Sequence, residues 1–223
     1  MASSSEGPRE LYRLALLTVG AVFAAMVGVW LAATALRPAP GVPDISGTYL
    51  DEGREIADFE LVDQDGNRVT RRDLEDVWSV LVFGYSRSDG PTAELPGVLT
   101  SAYERLRQVE LTDRLSVSLI TVDTEHDTPK VLEAYMAPYP DSFRGLTGDE
   151  AMVRELAESL GIRFAERPDE AGYAIQPEAA MLVVNPEGEL QALLIPPHHP
   201  EVVAQDLHTL IQREPGAWLH HLF

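Results

Sequence analysis

The sequence predicts an α/β domain with a parallel sheet at its centre, carried behind one N-terminal transmembrane helix. Two nearly continuous apolar runs of strand composition, Val77–Tyr85 and Leu115–Asp123, predict the central strands. Helical stretches follow each run, and a final pair of strands is joined by a proline–glycine turn.

From Leu14 to Leu36 the chain reads LALLTVGAVFAAMVGVWLAATAL, without a charge. As a helix rising about 1.5 Å per residue it is about 34 Å long, enough to cross a hydrocarbon core of about 30 Å. Arg9 and Arg13 precede it and Arg37-Pro38 closes it, a slight positive excess that favours a cytoplasmic N-terminus over residues 1–13. Ala33-Thr34-Ala35 also fits a signal-peptide cleavage site, but such peptides have apolar regions of only about 7–15 residues. An anchor over 14–36 is the expectation, with membrane lipid as its partner. On either reading the chain beyond Arg37 lies outside the cytoplasm.

Pro38, Pro40, Pro43, Gly41 and Gly47 make residues 37–50 a semi-rigid linker. The domain is expected over 51–213. Phe59 and Leu61 alternate with polar neighbours, then Asp65-Gly66-Asn67 signals a turn into Arg68-Val69-Thr70, a short hairpin. After the first apolar run a helix is predicted from Thr92 to Val109, and Leu115–Asp123 follows as the second buried strand. Pro129, after Asp127-Thr128, opens a further helix at the position where proline is tolerated. Thr147-Gly148-Asp149-Glu150 reads as a capping box for a helix ending at Gly161. Ala179–Val184 and Glu189–Ile195 are strands joined by Asn185-Pro186-Glu187-Gly188, a type I turn. A last helix runs from Pro200 to Gln212. Strands alternating with helices, closed by an antiparallel edge hairpin, make a thioredoxin-like arrangement.

Composition restricts the chemistry. Lys+Arg total 17 against 36 Asp+Glu, a net charge of −19, which argues against a nucleic-acid partner. The chain has no cysteine, so it forms no disulfide and offers no thiolate for redox chemistry or soft metals. In a sheet of this kind the functional position is the loop leaving the first central strand, here Phe83–Leu95.

The ordered landmarks Asp63-Gln64-Asp65-Gly66, Phe83-Gly84-Tyr85, Val122–Pro129, Phe143–Gly148, Asn185–Gly188 and Pro196-Pro197-His198-His199-Pro200 resemble the SCO/SenC family. The resemblance implies a membrane-anchored, thioredoxin-like protein concerned with copper delivery to cytochrome c oxidase. It also implies a copper site of two cysteines in a CxxxC pattern and a late histidine, a set suited to Cu(I). Here Ser86, Ser88 and Gly90 fall in the cysteine loop, and Pro177 stands in the histidine's place.

Ser86, Ser88 and Asp89 could form a hydroxyl nucleophile or a hard-cation corner, with His126 as the nearest base; the plainer reading is a polar loop with Ser88 or Asp89 capping the next helix. Asp123 and Asp127 are candidates for capping and turn roles or for a partner-facing acidic edge. His198 and His199 fit a structural turn into the last helix. With His126 they are also the replacement ligands for a Cu(II) or Zn(II) site. Trp218 and Phe223, in the aromatic tail 214–223, are candidates for docking on a partner or on lipid headgroups, or for covering the domain's own edge.

Two functions follow as expectations. One is a non-catalytic binding or assembly factor linked to cytochrome oxidase, with no cofactor and a respiratory oxidase subunit or assembly factor as partner. It would be single-pass in a bacterial inner membrane, with its domain in the periplasm. The other is a metal chaperone with the replacement histidine and carboxylate site.

Overall fold

The computed structural model describes residues 16–28, 42–167, 172–176 and 179–213. The chain divides into two units, Met1–Gly41 and Val42–Phe223. In the first unit residues 16–28 form a helix, α1, with exposed side chains. Among the described residues no helix is long and apolar enough to cross a membrane, and the rest of the expected 14–36 span lies outside them.

The second unit begins with β1 (Thr48–Glu55), β2 (Glu60–Asp63), β3 (Arg68–Thr70) and β4 (Trp78–Gly84), then α2 (Leu95–Arg107) and β5 (Leu115–Thr121). It continues through α3 (Pro129–Met136), β6 (Phe143–Thr147), α4 (Glu150–Ser159), β7 (Arg163–Glu166) and β8 (Tyr173–Gln176). The last elements are β9 (Met181–Val184), β10 (Glu189–Leu194) and α5 (Pro200–Gln212). Eight strands form one sheet in the order β1-β10-β9-β4-β5-β6-β2-β3, and β7 and β8 pair separately. Strands β4, β5 and β6 are parallel; every other pairing is antiparallel.

Every residue of β4 is buried, because the strand has a layer on each face. Val80 and Val82 pack into a cluster with Leu99 and Leu106 of α2 and Leu207 and Leu210 of α5. Leu81 and Phe83 point the other way, toward Val153 and Leu156 of α4 and Phe164 of β7. This two-sided burial is why the run shows no polar alternation.

The expected hairpin is β2–β3. Asp63 Oδ1 accepts from the amides of Asp65 (3.0 Å) and Asn67 (2.8 Å), and Gly66 takes the positive φ the turn demands. The turn at Asn185–Gly188 also forms, with the Gly188 amide donating to the Asn185 carbonyl at 2.9 Å. The capping residue of α4 is Asp149 rather than Thr147; its carboxyl accepts from the amides of Ala151 and Met152.

Two placements differ from the sequence expectation. The β9–β10 hairpin is not an edge: β9 lies beside β4, and β1 pairs outside β10. That outer strand begins at Thr48, inside the expected linker 37–50, and Ser46 before it donates its amide and hydroxyl to the buried Asp206 of α5. Strand β6 went unassigned because Gly145 interrupts its apolar character. A Cβ at this glycine would stand 3.0 Å from Met136 Cγ and 3.2 Å from Leu132 Cβ of α3, so those side chains would have to shift to admit it.

Leu81→Ala is expected to lower stability by about 2–5 kcal/mol, through lost burial and the cavity left behind. Val109→Ala, at a position 52% exposed, is expected to change it by less than about 0.5 kcal/mol, both read by urea unfolding.

Candidate functional site

Strand β4 ends where Gly84 passes close to Leu119 of β5, and its carbonyl accepts from the Val122 amide at 2.9 Å. This pairing sets the loop after β4 beside the loop after β5. Asp127, fully buried, joins the two. Its Oδ2 accepts from the Ser86 amide (2.8 Å) and from Thr121 Oγ1 (2.6 Å), and its Oδ1 from Ser86 Oγ (2.5 Å). Thr121 Oγ1 in turn accepts from the Asp123 amide, and the Asp127 amide donates to the Asp123 carbonyl.

A second buried carboxyl lies alongside. Asp123 is 0% exposed; its Oδ2 accepts from Arg87 at 2.5 Å and its Oδ1 lies 2.7 Å from His126 Nδ1. Burial pushes this carboxyl up, but the hydrogen bonds and charges of Arg87 and His126 outweigh it and hold the group below the usual carboxylate range. The same contact raises the Arg87 guanidinium further.

Arg87 and His126 line a cleft of about 380 Å³, shared with Glu125, Glu150, Arg154, Glu166 and Tyr173. Burial raises the Tyr173 phenol, and the charges of Asp123, Glu166, Glu150 and Glu125 add to it. Behind Tyr173, Tyr85 packs edge-on against its ring, and the Tyr85 hydroxyl accepts from the Tyr173 amide at 3.3 Å. Gly172 permits this approach, since a Cβ there would lie 2.5 Å from Tyr85 Oη.

Of the residues singled out in the sequence, Ser86, Asp123, Asp127 and His126 come together here. Asp123 and Asp127 are both buried, with their carboxyls hydrogen-bonded to groups of the two loops. Ser86 has its hydroxyl on Asp127 rather than on a histidine. Ser88 Oγ pairs with Thr92 Oγ1 at 2.7 Å, and Gly90, not Ser88 or Asp89, takes the cap position before Pro91. His198 Nε2 contacts the Ala179 carbonyl at 2.5 Å and His199 stands at the N-cap of α5. Among the described residues no three His, Asp or Glu side chains are grouped to hold a metal ion. Pro177, Trp218 and Phe223 lie outside the described residues.

Sequence reasoning missed Thr121, Arg87 and Gly172. Thr121 had a signal, a lone hydroxyl near the end of an apolar run. Arg87 and Gly172 had none, since their partners are distant in the chain.

Asp127→Ala leaves three donors without their acceptor. It is expected to cost about 2–4 kcal/mol in urea unfolding and to speed amide exchange at Ser86. The Asp123 carboxyl is held below its ordinary 3.8, so its stabilising contribution is complete above that pH and lost as pH falls through the folded-state value. Arg87→Met removes an interaction that opposes burial, so the acid-unfolding midpoint, followed by circular dichroism, is expected to move to higher pH.

Known proteins match this fold and its landmarks. The family model described as SCO1/SenC matches residues 48–212. The mitochondrial SCO1 homolog 2 of Arabidopsis thaliana is 27% identical over 150 residues, covering 67% of this chain and 54% of that protein, so the chain spans about half the length of this relative. The copper-bound structure of Arabidopsis thaliana ScoI aligns over 71% of this chain and 99% of that one, with 21% identity and a TM-score of 0.66. BsSco, described as a member of the Sco family of cytochrome c oxidase assembly proteins, aligns over 75% of this chain and 98% of its own, at 19% identity and a TM-score of 0.60. With most of its second unit matched by the family model and its thioredoxin-like fold shared with solved relatives, the chain belongs to the SCO1/SenC family.

Proposed function

We propose that this protein is a non-catalytic binding or assembly factor linked to respiratory cytochrome oxidase biogenesis, with a degenerate copper site. The observation that carries the reading is the state of the loop after β4. Cu(I) favours soft thiolates with imidazole. The side-chain donors at Ser86 and Ser88 are hard hydroxyl oxygens, each already hydrogen-bonded to Asp127 or Thr92, and Gly90 offers no side chain. With no cysteine anywhere in the chain, these residues do not fit Cu(I), and no copper-transfer step is derived for them. The replacement set has no supporting contact among its histidines: His126 sits on Asp123, while His198 and His199 serve the approach to α5.

A domain that keeps the family fold without its ligands acts through its surface. The half-exposed Arg87 and His126, backed by buried Asp123, give the cleft a fixed polar wall for such contacts. The expected placement supports the same role: the uncharged span 14–36 anchors the chain in a bacterial inner membrane, with the domain in the periplasm near oxidase subunits or assembly factors.

Capture of the full chain from membranes in mild detergent is expected to bring down an oxidase subunit or assembly factor. Cu(I) titration against a competing chelator is expected to show no stoichiometric site in the micromolar range or tighter. Finding such a site overturns the reading.

A further inference from the structure

Among the described residues, the walls of the cleft beside the Ser86 loop carry four carboxylates against two guanidiniums. Both guanidiniums are engaged within the chain. Arg87 donates to Asp123, and Arg154 donates to Glu150 at 2.7 Å and to the Phe164 carbonyl at 3.0 Å. The exposed carboxylates of Glu125 and Glu166 have no such partner among the described residues. Their field reaches Tyr173: burial is the first cause of its raised phenol, and the charges of Asp123, Glu166, Glu150 and Glu125 follow. The cleft is negative where that ring stands.

His126 adds an acceptor without a charge. The Asp123 carboxyl is held ionised and only accepts, so the proton it shares with His126 belongs to Nδ1. In the neutral imidazole Nε2 is then an acceptor, and it has no partner among the described residues. The ring is half-exposed and lines the cleft.

These acceptors are spread around the walls. No three His, Asp or Glu side chains among the described residues are grouped to hold a metal ion, so an inorganic cation finds no shell there. A guanidinium suits the spacing better. It is planar, carries five N–H donors in a rigid fork and packs on aromatic rings. The same wall already shows that packing: the Arg154 guanidinium carbon lies 4.5 Å from the centroid of Phe164, whose ring makes a T-shaped contact with Tyr173 at 6.3 Å. A volume of about 380 Å³ is small for a ligand site and fits one side chain rather than an extended ligand.

We propose that this cleft receives an arginine side chain of a partner protein, its guanidinium held by Glu125, Glu166 and His126 Nε2 and packed on Tyr173. The net charge of −19 draws a basic surface toward the domain, and the cleft gives that surface one seat. The inference rests on the reading of the domain as one that acts through its surface, and it names the chemistry of the contact.

The test uses the full chain in detergent at low salt, with N-acetyl-arginine amide, N-acetyl-lysine amide and N-acetyl-glutamate amide as probes. The arginine probe is expected to shift the amide resonances of Glu125, His126 and Tyr173 saturably, and the glutamate probe to leave them in place. Glu125→Gln and Glu166→Gln, which keep the size of exposed side chains, are each expected to weaken the arginine probe about twofold to fivefold. Added salt is expected to weaken it further. The doubly substituted chain is expected to capture less of its partner from membranes than the unsubstituted chain. Absence of a saturable shift with the arginine probe, tighter binding of the lysine probe, or binding of the glutamate probe overturns the proposal. Partner capture undiminished by the double substitution overturns the cleft assignment and leaves the assembly role standing. Arginine-probe binding by a chain that captures no partner overturns the assembly role and leaves the guanidinium site standing.

Discussion

The buried carboxyl of Asp127 is the contact on which the organisation of the site depends. Parallel strands need long connections between them, so the loops after β4 and β5 have no hairpin to hold them in register. Asp127 supplies the missing link by accepting from the Ser86 backbone, the Ser86 side chain and Thr121 at once. The two bonds from Ser86 run between residues 41 apart in the chain, and they define the loop's path as it leaves the sheet. Asp123, Arg87 and His126 then assemble on a frame already fixed, and the cleft takes its shape from them.

This arrangement also explains how the loop keeps its path with no metal ion bound to it. Here the amide and hydroxyl of Ser86 are satisfied by the protein itself, and the electrostatics of Asp123 are balanced by a half-exposed arginine. The order of the site is therefore a property of the chain.

Much of the fold could be read from the residues. The β4 and β5 runs declared themselves by unbroken apolar character, and α5 was bounded by Pro200 at its permitted position. The Asn185–Gly188 turn followed from the placement of its proline and glycine. What could not be read were elements whose stability comes from partners. Strand β1 is polar and rests on β10; β7 and β8 each bury only one large apolar side chain, Phe164 and Ile175. The site followed the same rule: the position of Ser86 was legible and its partner was not. Likewise, Ser88 had the composition of a helix cap, but its hydroxyl goes to Thr92, and the cap falls to Gly90.

The outer strand β1 has one more consequence. An open sheet edge offers unpaired backbone groups to any other strand that meets it, in this chain or another. Strand β1 carries Asp51, Glu52, Arg54 and Glu55, and its register with β10 slips between Tyr49 and Arg54. Charge and irregularity on that edge oppose strand addition, and the opposite edge, β3, runs only from Arg68 to Thr70. The sheet therefore resists edge-to-edge joining with other strands, a protection against aggregation.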